Sequence, residues 1–135
     1  MIEYKFKNAD EAFNFYYGII PYEGEQFDNT MTMFNQGFTI ENPADRMITN
    51  EARNFNVEYA EAEWQWYLSG NRSTAKLGEL YGKIPKIWQD MSDGNGNVNS
   101  NYGYQWERGY QLDRVVAMLK DNPKTRRATV SIYDG

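Results

Sequence analysis

Apolar positions between residues 57 and 68 recur with a helical period. Wound at about 100° per residue, Val57, Tyr59, Ala60, Trp64, Trp66, Tyr67 and Leu68 share one broad face, and Glu58, Glu61 and Gln65 share the opposite one. Glu63 breaks this pattern. It lands within the apolar face, with Tyr59 one turn before it and Trp66 and Tyr67 one turn after. Asn54 or Asn56 can cap the helix and Gly70 can close it. Residues 8–20 predict a shorter helix capped by Asn8 or Asp10, with Phe13, Phe15, Tyr16 and Ile19 on its apolar side and Pro21 as its break. Residues 22–29 read as a polar loop. Residues 30–41 alternate imperfectly around Met31, Met33, Phe34, Phe38 and Ile40, which predicts a strand bent at Gly37 and ended by Pro43.

A second, weaker helix is expected from Ser73 to Gly82. Residues 83–104 hold turn signals, among them Asp93-Gly94-Asn95-Gly96-Asn97. Residues 105–120 predict a helix with Trp106, Tyr110, Val116 and Leu119 inward, stopped by Asn122-Pro123, and residues 126–133 predict a strand. No repeat or linker divides the chain. The pattern describes one α+β domain over residues 1–135.

Composition narrows the chemistry. The chain has 135 residues, no Cys and no His. That excludes disulfides, a thiolate nucleophile and the commonest metal ligand, so no metal site is expected. Chemistry must rest on carboxylates, Tyr, Lys, Arg, Asn and Ser. A net charge of −5 argues against nucleic acid as a partner. No apolar run approaches the roughly 20 residues of a membrane span, and the start of the chain has no signal-peptide core, so a cytoplasmic protein is expected.

Against this background Glu63 is the leading candidate. A carboxylate among aromatic rings must be paired, hydrogen-bonded or protonated. Such a residue is either an acid or base tuned by its surroundings or a carboxylate paired for packing. The helical wheel leaves both open.

Several motifs then fall in order. Glu63-Trp64-Gln65-Trp66-Tyr67-Leu68 is followed by Lys86-Ile87-Trp88-Gln89-Asp90, by Asn99-Ser100-Asn101-Tyr102-Gly103-Tyr104-Gln105-Trp106, and by Asp121-Asn122-Pro123-Lys124-Thr125-Arg126-Arg127. Together they resemble the thymidylate synthase superfamily from about residue 30 onward. The Asn-Ser-Asn-Tyr-Gly variant looks more like the phage deoxynucleotide hydroxymethylases. The resemblance implies the N-terminal portion of a thymidylate synthase-like fold, a mixed sheet with packed helices. It implies one-carbon transfer from 5,10-methylenetetrahydrofolate to C5 of a pyrimidine deoxynucleotide monophosphate, in the bacterial host cytoplasm if the protein is phage-encoded. By the same match Glu63 is the catalytic glutamate that organises water and moves protons. Tyr102 helps shape the active site, Trp88 lines the folate side, and Arg126 and Arg127 bind the substrate phosphate, reaching into a partner subunit's site.

The departures matter as much. The family's Cys nucleophile lies beyond the Arg-Arg strand, and these 135 residues contain none. Glu25 stands roughly where the family's phosphate-loop Arg would be. Adjacent strand residues also point to opposite faces, so Arg126 and Arg127 can meet one phosphate only where the backbone is irregular. The expectation is the N-terminal part of such an enzyme, working as a homodimer or with a complementing C-terminal chain and not turning over alone. The alternative is a non-catalytic binding protein built on part of the same fold.

Overall fold

The computed structural model describes residues 4–133. The chain divides into two compact units, residues 1–55 and 56–135.

The first unit begins with strand β1 (Tyr4–Phe6) and helix α1 (Ala9–Glu23). Asn8 caps α1, its side chain accepting from the Glu11 N–H at 2.9 Å, while the Glu11 carboxylate accepts from the Lys7 N–H. Asp10 accepts from the Thr49 N–H at 2.6 Å, which ties the later loop to the helix start. Pro21 does not break the helix but lies in its last turn. Its missing N–H removes one bond there, and Gly24 N–H closes the end on the Ile20 carbonyl at 2.9 Å.

The expected polar loop contains a strand. β2 (Glu25–Phe27) pairs antiparallel with β3 (Thr30–Thr32). The connecting Asp28 has a φ of 52°, a left-handed conformation that Asp tolerates. The single strand expected over residues 30–41 is instead two strands in two sheets. The chain turns at Asn35 (φ 55°), not at Gly37, before β4 (Phe38–Ile40) pairs parallel with β1. Between α1 and this parallel pair, Phe6 packs against Phe15, Tyr16 and Phe38 with ring centroids 5.2 to 6.0 Å apart.

The second unit is helical among its described residues: α2 (Val57–Leu68), α3 (Thr74–Tyr81), α4 (Lys86–Met91), α5 (Tyr102–Glu107) and α6 (Gln111–Asp121). Ser73 caps α3 and Gly82, at φ 82°, ends it, as the pattern predicts. The buried core is Ala62, Trp66, Leu77 and Val98, with Tyr59, Tyr67, Tyr81 and Trp88 packed around it. Trp66 is 0% exposed. The buried stripe of α2 is therefore narrower than its wheel suggests, and Trp64, at 47% exposed, lies outside it.

The single helix expected over residues 105–120 is two helices. Gly109 (φ 62°) and Tyr110 (φ 57°) take left-handed backbone between α5 and α6. Tyr110, Val116 and Leu119 are exposed rather than inward. The strand expected over residues 126–133 does not form; the segment is irregular. A strand requires a neighbouring ladder, and here the buried Gln111 side chain substitutes at one residue. Its amide donates to the Ser131 carbonyl at 3.0 Å and accepts from the Ser131 N–H at 2.9 Å.

Gly103 sets the approach of α5 to α2. A Cβ at this position would lie 1.6 Å from the Tyr67 carbonyl oxygen. Gly103→Ala is therefore expected to destabilise the protein by about 3 kcal/mol. Gly94→Ala, which meets nothing within 4 Å, should change stability by less than about 0.5 kcal/mol. Urea unfolding of the two variants side by side checks this.

Candidate functional site

The site is organised by the first turns of α2. Asn56 caps the helix, its side-chain oxygen accepting from the Tyr59 N–H at 2.8 Å. The amide nitrogen of Asn56 donates to the Tyr81 hydroxyl at 3.0 Å, so one residue fixes the helix start and the end of α3. Tyr59 and Glu63 are four residues apart and share a helix face. The Tyr59 hydroxyl donates to Glu63 Oε1 at 2.6 Å.

Trp88 completes the line. Residues 83–104 were expected to be loop, but α4 places Trp88 against the core, 5.2 Å from Trp66 between ring centroids. Its indole Nε1–H donates to the Tyr59 hydroxyl at 2.7 Å. Three side chains from two helices thus form one continuous chain, Trp88 to Tyr59 to Glu63. Glu63 is half-buried, as its position on the wheel suggests.

Both flanking phenols hold their protons more tightly than usual. Burial, and then the bond to Glu63, push Tyr59 from an ordinary 10.0 to about 12. Burial also raises Tyr67, with the Glu63 charge as the next cause. At neutral pH both hydroxyls are therefore donors beside a carboxylate.

An open cavity of about 560 Å³ adjoins Tyr59, lined also by Asn56, Tyr81, Lys83, Ile84 and Ile87. That volume is in the range of small-molecule sites. Lys83 stands 5.6 Å from the centre of the Tyr81 ring. Trp88 does not line this cavity; its indole N–H is given to Tyr59, which does.

The remaining candidates are less closely joined. Tyr102 is half-exposed and meets Tyr67, edge to face, at 5.5 Å between ring centroids. Arg126 and Arg127 are exposed. Neither forms an ion pair among the described residues, where the pairs are Lys76–Glu79 and Lys86–Asp90. Tyr59 was visible on the wheel only as a neighbour of Glu63, because helical spacing gives the direction of a side chain and not the partner of its hydroxyl. The described residues contain no cluster of three or more carboxylates that could hold a metal ion, and no helix is long and apolar enough to cross a membrane.

The family model for thymidylate synthase matches residues 23–135. The chain belongs to the thymidylate synthase family. It is 40% identical over 81 residues to the deoxycytidylate 5-hydroxymethyltransferase of Enterobacteria phage T4, a match covering 58% of this chain and 31% of that protein. The enzymes of that name from phages T2 and T6 match to the same extent. The chain thus spans about a third of the length of these relatives. Family membership gives the order of motifs around Glu63, Trp88 and Tyr102 a common origin, and the α+β class agrees with it.

The two raised phenols allow a direct check. In a spectrophotometric titration of the eleven tyrosines, two should ionise after the rest, and Tyr59→Phe and Tyr67→Phe should each remove one late component. A phenol whose pKa is raised by folding favours the folded state while protonated. Its contribution is therefore complete below pH 10 and lost as pH rises from 10 toward 12 for Tyr59. Thermal melts across that interval should show wild-type stability falling more steeply than that of Tyr59→Phe.

Proposed function

We propose that this chain supplies the acid–base part of a pyrimidine C5 one-carbon transferase acting on a deoxynucleotide monophosphate. The observation that carries the reading is the hydrogen-bonded line Trp88–Tyr59–Glu63 beside an open cavity. In it Glu63 organises water and moves protons at the base. Tyr59 donates to the carboxylate and holds it in place, as a positioned acid or base requires. Tyr102 shapes the same wall through Tyr67.

The cavity's chemistry fits a reduced folate. Tyr59, Tyr81, Ile84 and Ile87 offer flat apolar walls for a fused ring, and Lys83 offers a cation for a carboxylate tail. When bound, 5,10-methylenetetrahydrofolate supplies the one-carbon unit. Trp88 contributes by fixing Tyr59 through its indole hydrogen bond.

Arg126 and Arg127 bind the nucleotide phosphate in this reading. Guanidinium groups match phosphate oxygens bidentately. The irregular backbone at residues 126–127 removes the objection that strand neighbours point to opposite faces. These 135 residues carry no thiol, so the nucleophile that adds to the pyrimidine comes from a further sequence or a partner chain.

A second reading, a non-catalytic binding protein, draws on the first unit. An apolar groove of about 440 Å³ there is lined by Ala12, Phe13, Tyr16, Tyr17, Ile20 and Phe38. Such a surface suits a protein partner.

Mixing this chain with a Cys-bearing C-terminal half from a family hydroxymethylase or synthase tests both. Folate-dependent turnover of dCMP or dUMP is expected. Glu63→Gln should lower kcat by about 100-fold or more, and Arg126→Ala should chiefly raise KM for the nucleotide. A complex shown by light scattering to be assembled, yet inactive, overturns the catalytic reading and leaves the binding one.

A further inference from the structure

Tyr59 stands between Trp88 and Glu63 and makes two short side-chain hydrogen bonds in the second unit. Its oxygen is 2.6 Å from Glu63 Oε1 and 2.7 Å from Trp88 Nε1. The direction of both bonds follows from chemistry. An indole nitrogen can only donate, so the Tyr59 oxygen must accept from Trp88. The hydroxyl has one proton, and Glu63 Oε1 is the acceptor within reach. With Oε1 occupied by a donated proton, a proton that Glu63 itself carries belongs on Oε2.

We infer that Tyr59 is a positioning residue that locks Glu63 Oε1, leaves Oε2 as the oxygen that exchanges protons, and couples the carboxylate to Trp88. The inference rests on the acid–base role proposed for Glu63. The phenol is suited to the task because it stays protonated to about pH 12 and so remains a donor throughout the neutral range. Tyr67 acts on the same carboxylate too, chiefly through charge and least through a side-chain hydrogen bond; the short bond to Oε1 is Tyr59's. Tyr59 also lines the open cavity. A ring seated there touches the same phenol that holds the carboxylate, which links occupancy of the cavity to the orientation of Glu63. That linkage is reciprocal: whatever changes the charge of Glu63 changes the Trp88 hydrogen bond as well.

Trp66 supplies an internal control. It is fully buried, and its indole N–H has no hydrogen-bond partner among the described residues. The four tryptophans give four indole N–H resonances in a 15N-labelled sample, and Trp88→Phe assigns the relevant one. Glu63→Gln in the otherwise unchanged chain is expected to shift the Trp88 indole resonance and leave that of Trp66 in place. In Tyr59→Phe, the same Glu63→Gln change should no longer move Trp88. If Tyr59→Phe does not fold, as judged by circular dichroism, Glu63→Ala in the unchanged chain gives a second measurement, with Trp88 shifting and Trp66 not. A Trp88 resonance indifferent to Glu63 while Tyr59 is present, or equally sensitive to it without Tyr59, overturns the inference.

The complemented enzyme separates this from the broader reading. There Tyr59→Phe should lower kcat about 10- to 100-fold, the range for losing a hydrogen bond to a charged group, with KM for the nucleotide unchanged. Coupling seen by resonance in a chain whose complemented complex is inactive supports the relay and counts against the catalytic role of Glu63. Turnover without the coupling does the reverse.

Discussion

A carboxylate among aromatic rings must be met by a donor, and the Tyr59 phenol meets it here at 2.6 Å. Burying an unpartnered polar group costs more than a hydrogen bond returns, and Tyr59, one turn before Glu63 on α2, supplies that partner. The phenol's oxygen then has an accepting position left, and α4 fills it with the Trp88 indole. Asn56 starts α2 at the residue that orients Tyr59 and uses its other end to hold Tyr81 on α3. The alignment of three helices thus follows from satisfying one carboxylate and one hydroxyl. The core beneath, Trp66 with Leu77 and Val98, keeps these helices close enough for bonds of this length to form.

The parts of this arrangement that depend on local sequence were legible. The α2 and α3 helices, their Asn56 and Ser73 caps and the Gly82 terminator follow from short-range spacing and capping chemistry, and so does the placing of Glu63 against aromatics. What depends on a distant partner was not. α4 is six residues long, too short to show a period, and its Pro85 cap makes no side-chain bond. Tyr59's second bond crosses 29 residues of chain. The β-branched character of residues 128–132 was real but insufficient, because a strand exists only where a ladder is offered. The same holds for residues 30–41, where left-handed backbone at Asn35 sends two short strands to different neighbours.

The motifs of the thymidylate synthase family are connected here by contacts, not only by order along the chain. Gly103 lets α5 rest on the backbone of Tyr67, the residue that follows Trp66 and faces Tyr102. From α5, the Gln105 carbonyl accepts from the side-chain amide of Gln111 at the start of α6. The same amide grips Ser131, four residues beyond Arg127. A physical path therefore runs from the glutamate's helix to the segment that carries the two arginines. In the proposed enzyme the arginines need not belong to a regular strand to be placed: they need only lie between the Asn122-Pro123 end of α6 and the Ser131 clamp. Anchoring at both ends with an irregular backbone between them leaves two adjacent side chains free to turn toward one phosphate, which a regular ladder would forbid.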